Sequence, residues 1–67
     1  MDKIKPDYYK VNIKGVDCDI IDIINALGLN FNLGNTLKYI HRNKVDKIED
    51  LKKASEYINR EIQRLTE

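Results

Sequence analysis

One stretch, Gly28-Leu29-Asn30-Phe31-Asn32-Leu33-Gly34-Asn35-Thr36-Leu37-Lys38-Tyr39-Ile40-His41-Arg42, constrains this chain more than any other. It holds two of the three glycines and three asparagines ahead of a helical pattern with a basic end. Gly28 can stop a preceding helix, because glycine takes a left-handed backbone without steric cost. Asn30 or Asn32 can cap the next helix by accepting a backbone N–H. A turn between two helices and the start of the second are therefore expected here. At about 100° per residue, Leu33, Leu37 and Ile40 share one face of that helix. Asn35, Lys38 and Arg42 lie nearly opposite, where they face water, a ligand or a partner.

At 67 residues the chain has room for one domain and a small core. Cores of this size supply only a few kcal/mol, so such chains often oligomerise or carry a staple. One cysteine and one histidine provide neither an internal disulfide nor a zinc set. The expected setting is thus a reducing one, and no cofactor is implied. No apolar run suits a signal peptide or a membrane span, so a cytoplasmic protein with no membrane partner is expected. The net charge of +1 argues against general nucleic-acid binding. The charges are uneven, however. Residues 16–30 hold Asp17, Asp19 and Asp22 with no cation, whereas residues 31–47 hold Lys38, Arg42, Lys44 and Lys47 against Asp46 alone.

Residues 1–15 read as an extended arm. Pro6-Asp7 is turn chemistry, and Tyr9, Val11 and Ile13 alternate with Lys10, Asn12 and Lys14 until Gly15. Such a strand needs a partner, for which the same arm of another subunit is a candidate. Residues 16–67 read as a three-helix domain, giving an all-α, oligomeric fold class. The first helix spans 17–27, with Asp17 or Asp19 as N-cap and an isoleucine-rich arc of roughly 160° that should be the most buried. The second spans 31–43. The third spans 47–65, opened by an Asp46-x-x-Glu49 capping box. Along it Ile48, Leu51, Ser55, Ile58, Ile62 and Leu65 keep 3-4 spacing, a coiled-coil-like seam. Asp50, Lys53, Tyr57 and Arg64 lie on its reverse side.

The best ligand candidates are Asn35, Lys38 and Arg42, with Tyr39, Lys53 and Tyr57 beside them. Two cations and an amide can hold one anion, Arg as a planar fork and Lys as a point charge. The bland reading is a solvated helix face, and Asp50 can equally pair with Arg42 or Lys38. The glycine-asparagine turn is not a P-loop. Asp17, Asp19 and Asp22 offer oxygen ligands for a cation, but capping explains them more simply, so no metal is expected. Cys18 reads as a small packed residue and His41 as a cation at a helix end. Tyr8 and Tyr9 could stack on a base, although packing of the arm accounts for them. No catalytic residue is identified.

Four pieces then point to a family. They are Pro6-Asp7-Tyr8-Tyr9-Lys10; Gly15-Val16-Asp17-Cys18-Asp19-Ile20-Ile21-Asp22; the Gly28 stretch with its Gly34-Asn35-x-x-Lys38-Tyr39-x-x-Arg42; and Asp50-Leu51-x-Lys53-Ala54-x-x-Tyr57. Together they resemble the SaV-like domain, a small bacteriophage domain long of unknown function, over nearly the whole chain. A related segment forms part of a phage nucleotide kinase that lacks a Walker motif. The resemblance implies a phage origin, a host-cytoplasm location and capacity for a nucleotide, with Asn35, Lys38, Tyr39, Arg42, Asp50, Lys53 and Tyr57 in the family pattern. Two departures are visible. Tyr8 stands where the family usually has histidine, and the loop after Arg42 is shortened to Asn43-Lys44-Val45.

Three functions follow as expectations. The first is an oligomeric module holding a nucleotide-like anion, for nucleotide metabolism or for sequestering a nucleotide signal of host immunity. The second is an interaction module that inhibits a host enzyme or defence protein. The third is a nucleotide kinase.

Overall fold

The computed structural model describes residues 10–42 and 46–67. The readings of Pro6-Asp7, Tyr8, Tyr9 and the loop 43–45 fall outside those residues. The element order is β1 (Lys10–Ile13), β2 (Val16–Asp19), α1 (Ile20–Leu27), α2 (Phe31–His41) and α3 (Lys47–Thr66). The fold is mostly helical, not all-α, because the two strands form an antiparallel hairpin.

That hairpin corrects two expectations. β1 pairs with the next segment of its own chain, in the register Lys10↔Asp19, Val11↔Cys18, Asn12↔Asp17 and Ile13↔Val16. The stretch 16–19, expected to begin the first helix, is strand. The cause is the two-residue turn Lys14-Gly15, with φ of 52° and 83°. Positive φ at both central residues matches the right-handed twist of flanking strands. Asn12 locks the turn: its Oδ1 accepts from Gly15 N at 3.1 Å and its Nδ2 donates to Asp17 Oδ1 at 2.8 Å.

β2 runs directly into α1. Asp19 is the N-cap, accepting from Ile21 N at 2.8 Å, while Asp22 accepts from Asp19 N at 3.3 Å. The reciprocal capping box therefore opens α1. At α3, Asp46 accepts from Ile48 N and Glu49 N, which is the N-cap half of the box expected there. α1 ends at Gly28, whose φ of 67° is left-handed. Gly28 N donates to Asn25 O and Leu29 N to Ile24 O, both at 3.1 Å, the paired bonds of a Schellman end. Asn30, one of the two expected caps, then starts α2 by accepting from Leu33 N at 2.9 Å.

α2 is the central element, packed against α1 on one side and α3 on the other. Gly34 permits the α1 contact, since a Cβ there would lie 3.0 Å from Ile24 Cγ2. The α2–α3 contact uses a side of α3 other than the 3-4 seam. The buried positions of α3 are Asp50, Ala54 and Glu61. The Ile48–Leu65 seam is exposed, with Ile48 at 67%, Ile58 at 39% and Leu65 at 67%. Seam and buried stripe stand about 90° apart around the helix axis. The stripe on α2 is also open, Leu33 at 37% and Ile40 at 46%. In α1 only Ile20 of the isoleucine run is buried.

A polar lock joins α2 to α3 in place of an apolar core. The buried Glu61 carboxylate receives Asn30 Nδ2 at 2.8 Å and Asn32 Nδ2 at 3.2 Å from the start of α2. Arg64 adds Nε at 3.0 Å and Nη2 at 2.7 Å. Donation by Arg64, then by Asn30 and Asn32, holds the Glu61 carboxyl down at about 2. At the other end of the pair, Lys47 Nζ donates to the carbonyl oxygens of Ile40 and Arg42, closing the C-terminus of α2.

Candidate functional site

α2 presents the expected ligand residues on two adjoining surfaces. The first is a groove between α1 and α2, of about 270 Å³. Ile21, Ile24, Leu29 and Phe31 give it an apolar lining, and Gly34 lets its floor come close to the α2 backbone. Asn30, Asn35 and Lys38 complete the wall, two carboxamides and one ammonium beside the apolar lining. Asn35 and Lys38 are half-buried. The groove exists because Gly28 and Asn30 turn the chain within three residues, so α1 and α2 lie side by side at that end.

The second surface is an aromatic row flanked by cations, between α2 and α3. Tyr39 stacks on Tyr57 at 6.0 Å with 11° between the rings, and Phe31 meets Tyr57 edge-on at 5.9 Å and 74°. Arg42 Cζ lies 5.7 Å and Lys53 Nζ 5.5 Å from the Tyr39 ring centre. Arg60 Cζ lies 5.3 Å from that of Tyr57. Cations at such distances are drawn to the negative ring faces, and the geometry gathers three positive charges within one cluster.

The six expected ligand residues therefore divide. Asn35 and Lys38 line the groove, while Tyr39, Arg42, Lys53 and Tyr57 form the cluster. Phe31 belongs to both surfaces, and the continuous row Asn35, Lys38, Arg42 is broken at its end. Arg42 lies just beyond α2, with an extended backbone (φ −62°, ψ 136°), so it leaves the helical row. Its guanidinium turns to Asp50, with Nε 3.8 Å from Oδ1, and the two side chains are 23% and 7% exposed. This is the internal pairing that the sequence held open. An anion arriving at Arg42 competes with Asp50, whereas one arriving at Lys38 meets the groove wall.

The three aspartates of the hairpin and α1 have structural work: Asp17 accepts from Asn12, and Asp19 and Asp22 form the capping box. His41 Nε2 lies 3.2 Å from Lys10 O, tying the end of α2 to the hairpin. Cys18 is half-buried in β2.

Sequence reasoning missed Phe31, Arg60 and Glu61. Phe31 and Arg60 carried a faint signal, an aromatic at a helix start and a cation three residues after Tyr57. Glu61 had none beyond its i,i+3 spacing to Arg64, since its other donors lie 29 and 31 residues away.

No helix among the described residues is long and apolar enough to cross a membrane. A family model described as a protein of unknown function, DUF3310, matches residues 3–59. No curated protein and no solved structure matches the chain.

Proposed function

Because the chain belongs to the DUF3310 family of proteins of unknown function, its own surface has to supply the reading, and we propose that it is a small binding module for a nucleotide-like, phosphate-bearing ligand. The observation that carries this is the groove between α1 and α2, where the apolar side chains of Ile21, Ile24, Leu29 and Phe31 share one lining with Asn30, Asn35 and Lys38. Its size falls just below the usual range of small-ligand sites, which suits one planar base with the phosphate outside. In this arrangement the base lies against Ile21, Ile24 and Phe31. Lys38 meets the phosphate as a point charge, and the Asn35 carboxamide reads a polar edge. Arg42, Lys53 and Arg60 raise the positive potential at the rim and speed the approach of an anion.

The resemblance to the SaV-like phage domain supports a phage origin and a host-cytoplasm setting. The role is then nucleotide metabolism or sequestration of a host immune nucleotide signal. The Tyr8 and loop departures favour binding without turnover over kinase activity.

The test is thermal unfolding against a panel of mono-, di- and cyclic nucleotides, for wild type, Lys38→Ala and Arg42→Ala. A ligand at one hundred times its Kd adds about 2.7 kcal/mol. In a chain this short that raises the Tm by roughly 10–20 °C. Lys38→Ala is expected to abolish most of the shift and Arg42→Ala to reduce it. No shift with any nucleotide overturns the proposal. ATP turnover that disappears in Lys38→Ala would instead favour the kinase.

A second reading has its own observation. Phe31 is 73% exposed at the groove mouth, among cations, which also suits an acidic protein surface. An interaction module that inhibits a host protein would lose binding on Phe31→Ser and show no nucleotide response.

A further inference from the structure

We infer that two copies of the chain associate through α3, antiparallel, along the seam Ile48, Leu51, Ser55, Ile58, Ile62 and Leu65. The first argument is exposure. The five large residues of the seam are 67%, 46%, 39%, 54% and 67% exposed, in that order. Together they form an apolar strip of roughly 500 Å² on a helix about 30 Å long, a size that marks an interaction site on a soluble protein. The second argument is that α3 already satisfies its own chain elsewhere. Its ion pair, ring stacking and hydrogen bonds with α2 come from Asp50, Tyr57 and Glu61, none of them a seam residue. Third, the described residues bury only Ile20 and Ala54 as apolar core, so covering the strip adds apolar burial that the single chain lacks. Two strips facing one another bury about 1,000 Å², near the lower limit of a specific interface before flanking residues are counted.

The spacing names the occupant and its orientation. Six positions at alternating intervals of three and four make about two and a half heptads, the pattern of a seam that packs against a like seam. In a parallel pair, Lys47 of one copy would flank Lys52 of the other, twice over by symmetry. In the antiparallel pair the flanks are Lys52 beside Asn59 and Ala54 beside Glu61, with no like charges together. Opposed helix dipoles favour the same arrangement. The two-fold axis falls between Ser55 and Ile58. Ile48 of one copy then meets Leu65 of the second, Leu51 meets Ile62, and Ser55 meets Ile58. The groove between α1 and α2 contains no seam residue, so pairing leaves it open.

The experiment is sedimentation velocity on the full chain at micromolar and several-hundred-micromolar concentration, with far-UV circular dichroism as the folding control. Wild type is expected to reach twice the 7.9 kDa chain mass at the higher concentration. Ile58→Glu should stay monomeric with its helix signal intact, and Ser55→Leu should tighten pairing at least tenfold. For orientation, Ile48→Cys and Leu65→Cys chains, both carrying Cys18→Ser, are mixed and oxidised. The antiparallel register gives the mixed disulfide. Wild type that is monomeric at both concentrations, or pairing unaffected by Ile58→Glu, overturns the inference. A predominant Ile48→Cys self-disulfide overturns its orientation.

Discussion

Replacing Gly34 tests whether α1 and α2 lie as close as the groove requires. On an isolated helix, Gly34→Ala should stabilise by about 1 kcal/mol, because alanine loses less backbone entropy. Here the added Cβ would sit 3.0 Å from Ile24 Cγ2 and 3.8 Å from Ile24 Cδ1. Ile24 is β-branched and stiff, so its Cγ2 cannot swing aside without moving the α1 backbone. Overpacking of this kind costs about 1–3 kcal/mol. The net expectation is a loss of about 0–2 kcal/mol, and each kcal/mol lowers the Tm of so small a domain by about 4–8 °C. Thermal and urea unfolding measure it directly. A double-mutant cycle isolates the cause, because Ile24→Ala removes the obstructing methyl. In that background Gly34→Ala should recover the full helix-propensity gain of about 1 kcal/mol. If Gly34→Ala stabilises the wild type by that same amount, the helices are not in contact at Gly34 and the groove loses its floor.

Other outcomes follow from single groups. The Glu61 carboxyl falls from 4.5 to about 2 on folding, so between those values the unfolded chain binds more protons than the folded one. Stability should therefore be fully present above pH 4.5 and decline as the pH falls toward 2, and Glu61→Gln should flatten that limb of the urea-unfolding profile. Gly28→Ala places a side chain at φ +67° with nothing within 4 Å of its Cβ, so its cost is backbone strain alone, about 1–2 kcal/mol by thermal unfolding. Gly28→Asn should cost less, because asparagine tolerates the left-handed region.

Local chemistry was legible in the sequence, and chemistry shared between distant residues was not. Gly28 and Asn30 specify their turn almost alone, since a left-handed glycine and a side-chain cap act within a few residues. Asp46 does the same for α3. The hairpin was also written locally, in Val11 and Ile13 alternating into Val16 and Cys18 across Lys14-Gly15. It was obscured because Asp17 and Asp19 are equally good caps and the isoleucines that follow suit a helix. Choosing Asp17 as a possible start cost α1 its true box, Asp19 with Asp22. At the site, the one-turn spacing that groups Asn35 with Lys38 survives in the groove. Arg42 does not follow, because Lys47 from α3 takes the carbonyls of Ile40 and Arg42 and α2 stops at His41.

The deeper reason for the mismatch is that α3 carries two stripes with the same 3-4 rhythm. One is Ile48, Leu51, Ser55, Ile58, Ile62 and Leu65; the other is Asp50, Ala54, Tyr57, Glu61 and Arg64. Periodicity locates a stripe but says nothing of what it meets, and the habit of putting the apolar stripe inside selects the wrong one here. The polar stripe turns inward because α2 brings its complement: Asn30 and Asn32 for Glu61, Tyr39 for Tyr57, Arg42 for Asp50. Such pairings are directional. They fix the angle and register of α2 against α3, and with them the spacing of Phe31, Tyr39 and Tyr57, while adding little free energy after desolvation. Apolar burial has the opposite character, strong and weakly directional. A chain of this length that commits its directional contacts to shaping one surface gains stabilisation from further apolar burial. The six-position seam, left outside and matched to its own reverse, is where this chain can obtain it.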